Sequence, residues 1–412
     1  MIGQPEKTHR DSRADQPLDI AALVAAHQPG FALQQAFYRS SAIFAKDMEN
    51  VFHQEWQLAG HLSEIPNEGD YFLFELLAES IIIVRGKAGR VRALANVCRH
   101  RGSRVCLEPR GNTRRFTCPY HAWVFNLDGS LFSARMLDEK HDRSTLGLKP
   151  VAVEVFHGLI YVSLSENPSS FATLRRELDP ILAPFGLERT KIAHRENYPV
   201  GANWKLLVEN YNECYHCTAA HPEFARSHVI HMDADRVAPL NAEMDTRSKS
   251  AGVPRAYLDR TGVKRPDGSP DYSYNRYALF DGFLTGSADG AALAPLLGDL
   301  SGYDSGASDV YVGILNPMLV YCDHVMLYRF VPVDKETSIQ EIIWLVHEDA
   351  QAGRDYDLER LKWLWDVTTI ADKQIIENNQ RGVNSKFYQP GPLVDMESFT
   401  QRFIEAYLET LT

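Results

Sequence analysis

Cys98-Arg99-His100 and Cys118-Pro119-Tyr120-His121 put two thiols and two imidazoles into two short loops separated by seventeen residues. A structural zinc site also takes two Cys and two His, but its usual spacing pairs Cys with Cys and His with His. One Cys and one His per loop suits a [2Fe–2S] cluster in which the thiolates hold one iron and the imidazoles the other. Neutral imidazoles in place of two thiolates raise the reduction potential. Gly102 and Pro119 mark both loops as tight turns. The chemistry this pattern serves is the passage of single electrons through a Rieske-type centre.

A second group of ligand types lies about a hundred residues downstream. His216 and His221 are five apart in Glu213-Cys214-Tyr215-His216-Cys217-Thr218-Ala219-Ala220-His221-Pro222. On an ideal helix that spacing splays them by roughly 140°, so they share one ion only where the helix ends or distorts. Pro222 drives His221 out of the helical region and makes that geometry available. Two histidines plus one carboxylate form the facial triad of non-haem Fe(II) oxygenases, with positions left open for oxygen. Asp366 and Asp372 both fall on a later helix, and pattern alone leaves the choice open. Cys106, Cys214, Cys217 and Cys322 suggest no disulfide framework, and Cys214 and Cys217 are read as packing residues.

The elements that must carry these groups divide the chain in two. Apolar runs at 71–74, 81–84, 91–97 and 159–164, with an Asp128-Gly129 turn between, read as strands. They make a small all-β module over 45–165. Beyond it, residues 173–183 and 203–217 have helical periodicity, while 232–310 is Gly-, Ser-, Pro- and Asp-rich and reads as one long loop-rich stretch. Strand-like runs at 310–322, 324–333 and 338–347 form a meander, followed by a long helix over 355–380. Ser398 and Gln401 suggest a capping box for a last helix. An N-terminal segment, 1–44, carries a short helix over 17–29 with Asp19 as its cap and Gly30 as its stop.

The 412 residues carry a net charge of −11, which argues against nucleic acid as a partner. No run of 18 apolar residues and no apolar segment behind a basic start is present, so neither a membrane span nor a signal peptide is expected, and a reducing cytoplasm fits. Against this acidic background Arg99, Arg101, Arg104, Arg110, Arg114 and Arg115 crowd the cluster loops. They read equally as a docking patch for an acidic donor or neighbouring subunit and as a solvated face.

Cys98-x-His100 with Cys118-x-x-His121, then His216-x4-His221, then Asp372 ahead of Gln380-Arg381-Gly382, resemble the α subunits of the Rieske non-haem iron (ring-hydroxylating) oxygenases over nearly the whole chain. The resemblance implies an α+β protein: the all-β Rieske domain, then a catalytic domain over 166–412 of the helix-grip (START-like) kind, an antiparallel sheet around a long helix. It implies a [2Fe–2S] cluster on Cys98, His100, Cys118 and His121, a mononuclear Fe(II) on His216, His221 and Asp372, and O2 as co-substrate. It implies a homotrimer in which Glu213 bridges His216 to His121 of the partner subunit, although most members carry Asp at that position. Electrons come from NAD(P)H through a separate flavin and iron–sulfur reductase, and the chain shows no dinucleotide-binding Gly-x-Gly-x-x-Gly of its own. Glu-Cys-Tyr-His-Cys and Asn378–Ser385 resemble the branch acting on quaternary ammonium betaines. That implies a monooxygenase that N-demethylates a betaine with release of formaldehyde. Stachydrine (proline betaine), giving N-methylproline, is the first expectation, glycine betaine or carnitine the alternative, and an aromatic-ring dioxygenase the more distant one. A cation with no proton to donate asks for aromatic faces, and Tyr272, Tyr274, Tyr277 and Phe283 are the candidates.

Overall fold

The structure is a computed structural model that describes residues 18–230, 232–259 and 267–412. Residues 1–17, the start of the N-terminal segment, lie outside the described residues. Helix α1 (Ile20–Ala25) is capped by Asp19, whose side chain accepts from the Ala22 amide at 2.9 Å. It stops four residues short of the expected end. Helices α2 (Gln35–Arg39) and α3 (Ser41–Asp47) follow, and Phe37, Tyr38 and Ile43 join the largest core.

Ten strands come next: β1 (Gln57–His61), β2 (Asp70–Leu76), β3 (Glu79–Arg85), β4 (Val91–Ala95), β5 (Arg110–Asn112), β6 (Phe116–Thr117), β7 (Val124–Phe125), β8 (Leu131–Ser133), β9 (Pro150–Phe156) and β10 (Leu159–Ser163). They form an antiparallel sheet in the order β1-β10-β9-β4-β3-β2-β5 and a small one in the order β6-β7-β8. Side chains alternate across a strand. Ile82 and Val84 of β3 thus enter the core under the cluster loops, with Phe116, Trp123 and Phe125. Ile81 and Ile83 enter the core shared with the rest of the chain. Burial on both faces is why 81–84 reads as an unbroken apolar run.

His61, at the end of β1, ties this module to the next. Its Nε2 meets the Leu187 carbonyl at 3.1 Å and its Nδ1 meets Ser63 Oγ at 2.9 Å. Burial lowers its pKa to about 4, against backbone hydrogen bonding that favours the charged form. Above pH ~6.5 both folded and unfolded chains leave it neutral. Between about 6.5 and 4 the unfolded chain alone takes up the proton, so the native state loses up to about 3 kcal/mol as pH falls through that window. Urea unfolding at about pH 7 and pH 4.5 should show a smaller pH dependence in His61→Gln than in the parent.

The catalytic half runs α4 (Ala172–Leu182), β11 (Thr190–Val200), α5 (Trp204–Tyr211), α6 (Cys217–Ala220), α7 (Pro222–Ala225), α8 (Ala234–Ala251), β12 (Tyr257–Leu258), β13 (Tyr272–Ala278), β14 (Gly306–Val312), β15 (Pro317–Val320), β16 (Val325–Asp334), β17 (Thr337–His347), α9 (Leu358–Val383) and α10 (Ser398–Glu409). The strands form one antiparallel sheet, β11-β17-β16-β15-β14-β13-β12. Met326, Tyr328, Ile342 and Trp344 on one face share a core with Leu361, Leu364 and Trp365 of α9. Leu327, Ile343 and Leu345 on the other share one with Leu174, Leu178 and Leu182 of α4. The α+β architecture is as expected.

Three local readings are corrected. The helix expected over 203–217 is broken after Tyr211 and resumes as one turn at Cys217. The stretch 232–310 is not all loop: it contains the eighteen-residue α8 and most of three strands. Ser398 and Gln401 do not form a capping box. Glu397 instead accepts from the Val394 amide at 2.8 Å, and Gln401 donates to Glu405 at 3.0 Å.

Candidate active site

The two cluster loops are built alike. The Cys98 carbonyl accepts from the Gly102 amide and the Cys98 amide donates to the Ser103 carbonyl. Cys118 repeats both bonds with Ala122 and Trp123. The fifth residue of each loop is left-handed, Gly102 at φ 76° and Ala122 at φ 55°. The two thiols are close enough to influence one another. Burial pushes the Cys98 thiol up. At Cys118 burial does the same but is outweighed by hydrogen bonds, the Tyr120 and His121 amides among them, which hold that thiol down. The thiols are buried at 3% and 2% exposure, while His100 and His121 are exposed, their rings 4.6 Å apart and His100 stacked on Trp123 at 4.9 Å. Two buried thiols beneath two facing, exposed imidazoles fit a two-iron cluster with its nitrogen-bound iron at the surface.

Of the basic patch, Arg101 lies over the exposed Tyr120 ring at 5.2 Å, and Arg104 and Arg110 pair with Glu75 and Glu64.

The second donor set forms where α5 breaks. Glu213 folds back so that its Oε2 accepts the amides of Tyr215 and His216, which turns the chain. His216 and His221 then stand at the two ends of the single turn α6. His221, held before Pro222, adopts φ −143° and ψ 82°, outside the helical region. Asp372 comes from α9, where it interrupts the buried row of Leu361, Trp365, Thr368 and Ile376. Its Oδ1 lies 3.3 Å from His216 Nε2 and 3.1 Å from His221 Nε2. Neighbouring ligands on one metal with ~2.1 Å bonds stand about 3.0–3.4 Å apart, so the three side chains fit a mononuclear iron. Asp366 is engaged elsewhere, accepting from the Tyr198 hydroxyl at 2.7 Å.

Glu213 Oε1 meets His216 Nδ1 at 2.6 Å. That contact directs the ring's Nε2 toward Asp372, the usual way an outer carboxylate orients a metal-binding imidazole. Burial alone would lower the His216 pKa, but hydrogen bonds to Asp372 and Glu213 outweigh it and raise it to about 9. Asp372 shows the mirror image: burial pushes up, the two imidazoles outweigh it, and the carboxyl is held low.

A cavity of about 290 Å³ opens onto His216, His221 and Asp372. Its aromatic wall is Tyr211, Phe224, Tyr277, Tyr311, Trp365 and Phe399, and Asp309 adds a carboxylate that accepts from the Tyr211 hydroxyl at 3.3 Å. Among the described residues that line it there is no Lys or Arg. Of the four aromatic candidates, Tyr277 lines this cavity and the other three are corrected. Tyr272 and Tyr274 sit at even positions of β13 and belong to the core on the opposite face of the sheet, while Phe283 packs against the main core. Asp309 and Tyr311, on the neighbouring strand, went unseen because β14 is buried on both faces and its small and mixed residues, Gly306 to Val312, show no apolar–polar alternation to read.

Cys214 and Cys217 are joined by a disulfide, which corrects their reading as free packing residues. The spacing Cys-x-x-Cys was the available signal.

An electron store in one module and an iron-ready, open-sided ligand set facing a cavity in the other divide the labour as a Rieske oxygenase α subunit does. Residues 55–151 match the Rieske [2Fe–2S] domain and residues 187–412 the ring hydroxylating alpha subunit (catalytic domain). The glycine betaine monooxygenase oxygenase subunit of Chromohalobacter salexigens is 36% identical, over 100% of this chain and 91% of that one. The carnitine monooxygenase oxygenase subunit of Escherichia coli K12 is 30% identical, over 88% and 87%. A crystal structure of the quaternary ammonium Rieske monooxygenase CntA, at 24% identity, shares the fold with a TM-score of 0.72, over 97% of this chain and 100% of that one. The chain belongs to the Rieske oxygenase α subunits, in their quaternary ammonium monooxygenase type. Its cofactors are a [2Fe–2S] cluster and a mononuclear iron, with O2 as co-substrate. No helix among the described residues is long and apolar enough to cross a membrane.

Proposed function

We propose that this chain oxidatively removes a methyl group from glycine betaine, giving dimethylglycine and formaldehyde. Glycine betaine moves ahead of stachydrine because the relative matched along the whole chain carries that name. Carnitine stands next. The observation that carries the reading is the cavity: an aromatic wall with Asp309 and, among its described lining residues, no Lys or Arg, beside the donor set of His216, His221 and Asp372. Aromatic faces attract a fixed cation, more strongly once it is desolvated, and Asp309 adds the opposite charge. The betaine carboxylate is left to neutral donors. Trp365 Nε1, buried and without a partner among the described residues, is a candidate we propose for it.

When bound, the iron held by His216, His221 and Asp372 supplies oxygen activation. The chain's own residues do the rest. Tyr211, Tyr277, Tyr311 and Asp309 hold the trimethylammonium group with a methyl toward the three ligands. Glu213 keeps His216 in the ligating orientation. O2, two electrons and two protons yield an N-hydroxymethyl group and one water, and that group loses its hydroxyl proton as its C–N bond breaks, giving formaldehyde and the tertiary amine. The electrons arrive through Cys98, His100, Cys118 and His121 from a separate reductase, and we place the transfer between subunits of a homotrimer, across Glu213. Exposed Tyr120, its ring 3.8 Å from that of His121, and exposed Val97 just ahead of Cys98 support a surface that docks.

Asp309→Asn is expected to raise KM for glycine betaine about tenfold or more while iron content is unchanged, since a half-buried charge near a cation is worth more than 1.4 kcal/mol. The function itself is tested by coupled turnover with a reductase: dimethylglycine and formaldehyde should form in equal amounts.

A further inference from the structure

Cys214 and Cys217 bracket His216 and help to wall the catalytic cavity, both buried, at 8% and 4% exposure. Neither the electron path nor the substrate contacts described above use them. A ligand-capable atom from each of His216, Cys217 and His221 lies within 4.8 Å of the other two. The Cys217 sulfur therefore stands beside the two imidazoles, and what keeps it from acting as a thiolate donor is its bond to Cys214.

We infer that the Cys214–Cys217 pair is a thiol–disulfide switch that sets the donor set, and with it the metal preference, of the mononuclear site. The inference rests on the assignment of His216, His221 and Asp372 to that site. As the disulfide, the site offers two imidazoles and a carboxylate, the triad that leaves positions open for oxygen on iron. As the dithiol, it adds the Cys217 sulfur. The Cys217 sulfur and the two imidazoles supply three donors of the kind that hold structural zinc, Asp372 Oδ1 lies within 3.3 Å of both imidazoles as a fourth, and a soft thiolate favours zinc over Fe(II). The switching partner is a dithiol: the Cys214–Cys217 bond breaks, two S–H groups form, and the partner's two thiols become a disulfide, with two electrons and two protons transferred. Hydrogen peroxide reverses it, re-forming the S–S bond with release of two waters. Because the pair faces the cavity, either reagent enters where substrate enters. Cys106 and Cys322 are buried outside the cavity wall and serve as internal controls.

The test uses iron-loaded holoenzyme purified without reductant. Iodoacetamide labelling and peptide mass spectrometry should leave Cys214 and Cys217 unlabelled, and both should label after treatment with tris(carboxyethyl)phosphine, which binds zinc weakly. One equivalent of zinc chloride is added to separate, unlabelled samples of the oxidised and reduced enzyme, and iron and zinc per chain are measured by elemental analysis. The reduced enzyme should take up zinc and lose its third iron at least ten times more readily than the oxidised enzyme, with the cluster spectrum unchanged. Reduced Cys217→Ser and Cys217→Ala should behave like the oxidised parent, and Cys106→Ser like the reduced parent. Free thiols at both positions that no peroxide treatment joins would overturn the inference. So would equal zinc uptake by the reduced parent and the Cys217 variants. If His216→Ala and Asp372→Ala leave the third iron in place, the site assignment fails instead.

Discussion

Replacing His221 by alanine is expected to remove the mononuclear iron and reduce formaldehyde formation by at least about a thousandfold, with the visible spectrum of the Rieske cluster retained. His221 is one of three groups whose ligand atoms converge within 3.1–3.3 Å contacts, and a site reduced to His216 and Asp372 lacks a third anchor. The side chain is 3% exposed, so alanine also leaves a hollow that water fills without restoring a fixed donor. Among the described residues Cys98 and Cys118 of the cluster loops and Cys217 of α6 belong to different cores, so the cluster spectrum is the internal control. Elemental analysis should fall from three irons per chain to two. A variant with two irons and undiminished turnover would mean that oxygen is activated elsewhere. It would also revive the reading of the chain as an electron carrier with a binding domain attached.

Glu213→Gln should act on a different step. The amide is the same size, so its oxygen can still accept from the Tyr215 and His216 amides and keep the turn. What is lost is the charge and, because the amide NH2 then faces it, the acceptor for His216 Nδ1–H. Both metal sites should fill, and the oxidation of the reduced cluster in a single turnover should slow by about 10–100-fold, the range typical when an outer partner of a ligating histidine is changed. Stopped-flow absorbance of the cluster reads this directly. An unchanged rate would deny Glu213 a place on the electron path and leave it the role of orienting His216. The Glu213 side chain is long enough both to close the turn, through the Tyr215 and His216 amides, and to reach Nδ1.

The sequence made the metal chemistry legible to different depths at its several sites. The cluster loops could be read because a Cys and a His are fixed at short spacing, and the structure adds that the two loops share one hydrogen-bond pattern around Gly102 and Ala122. His216 and His221 could be read with the help of Pro222, which breaks the helix where a break is needed. Asp372 could not be separated from Asp366 by pattern. The structure separates them, because Asp366 serves Tyr198 while Asp372 occupies a buried row of α9. The cavity wall was the least legible part. A sheet buried on both faces has no polar side to set the register, so parity along β13 had no outward sign and Tyr272 and Tyr274 fell on the wrong face. Helix α8 was hidden for a related reason: Pro239 and mixed charges mask its periodicity, and none of its wholly apolar runs is long enough to announce it.

The most direct measurement is a single turnover of anaerobically reduced enzyme, mixed with oxygen and glycine betaine, stachydrine, carnitine or an aromatic acid in parallel, with formaldehyde and the amine product quantified. Glycine betaine should give formaldehyde and dimethylglycine in equal amounts, close to one per mononuclear iron, and faster than either other betaine. Formaldehyde from stachydrine or carnitine alone would keep the reaction and move the substrate. No formaldehyde from any betaine, with a cis-diol formed from the aromatic acid by enzyme carrying both metal centres, would contradict the proposed N-demethylation.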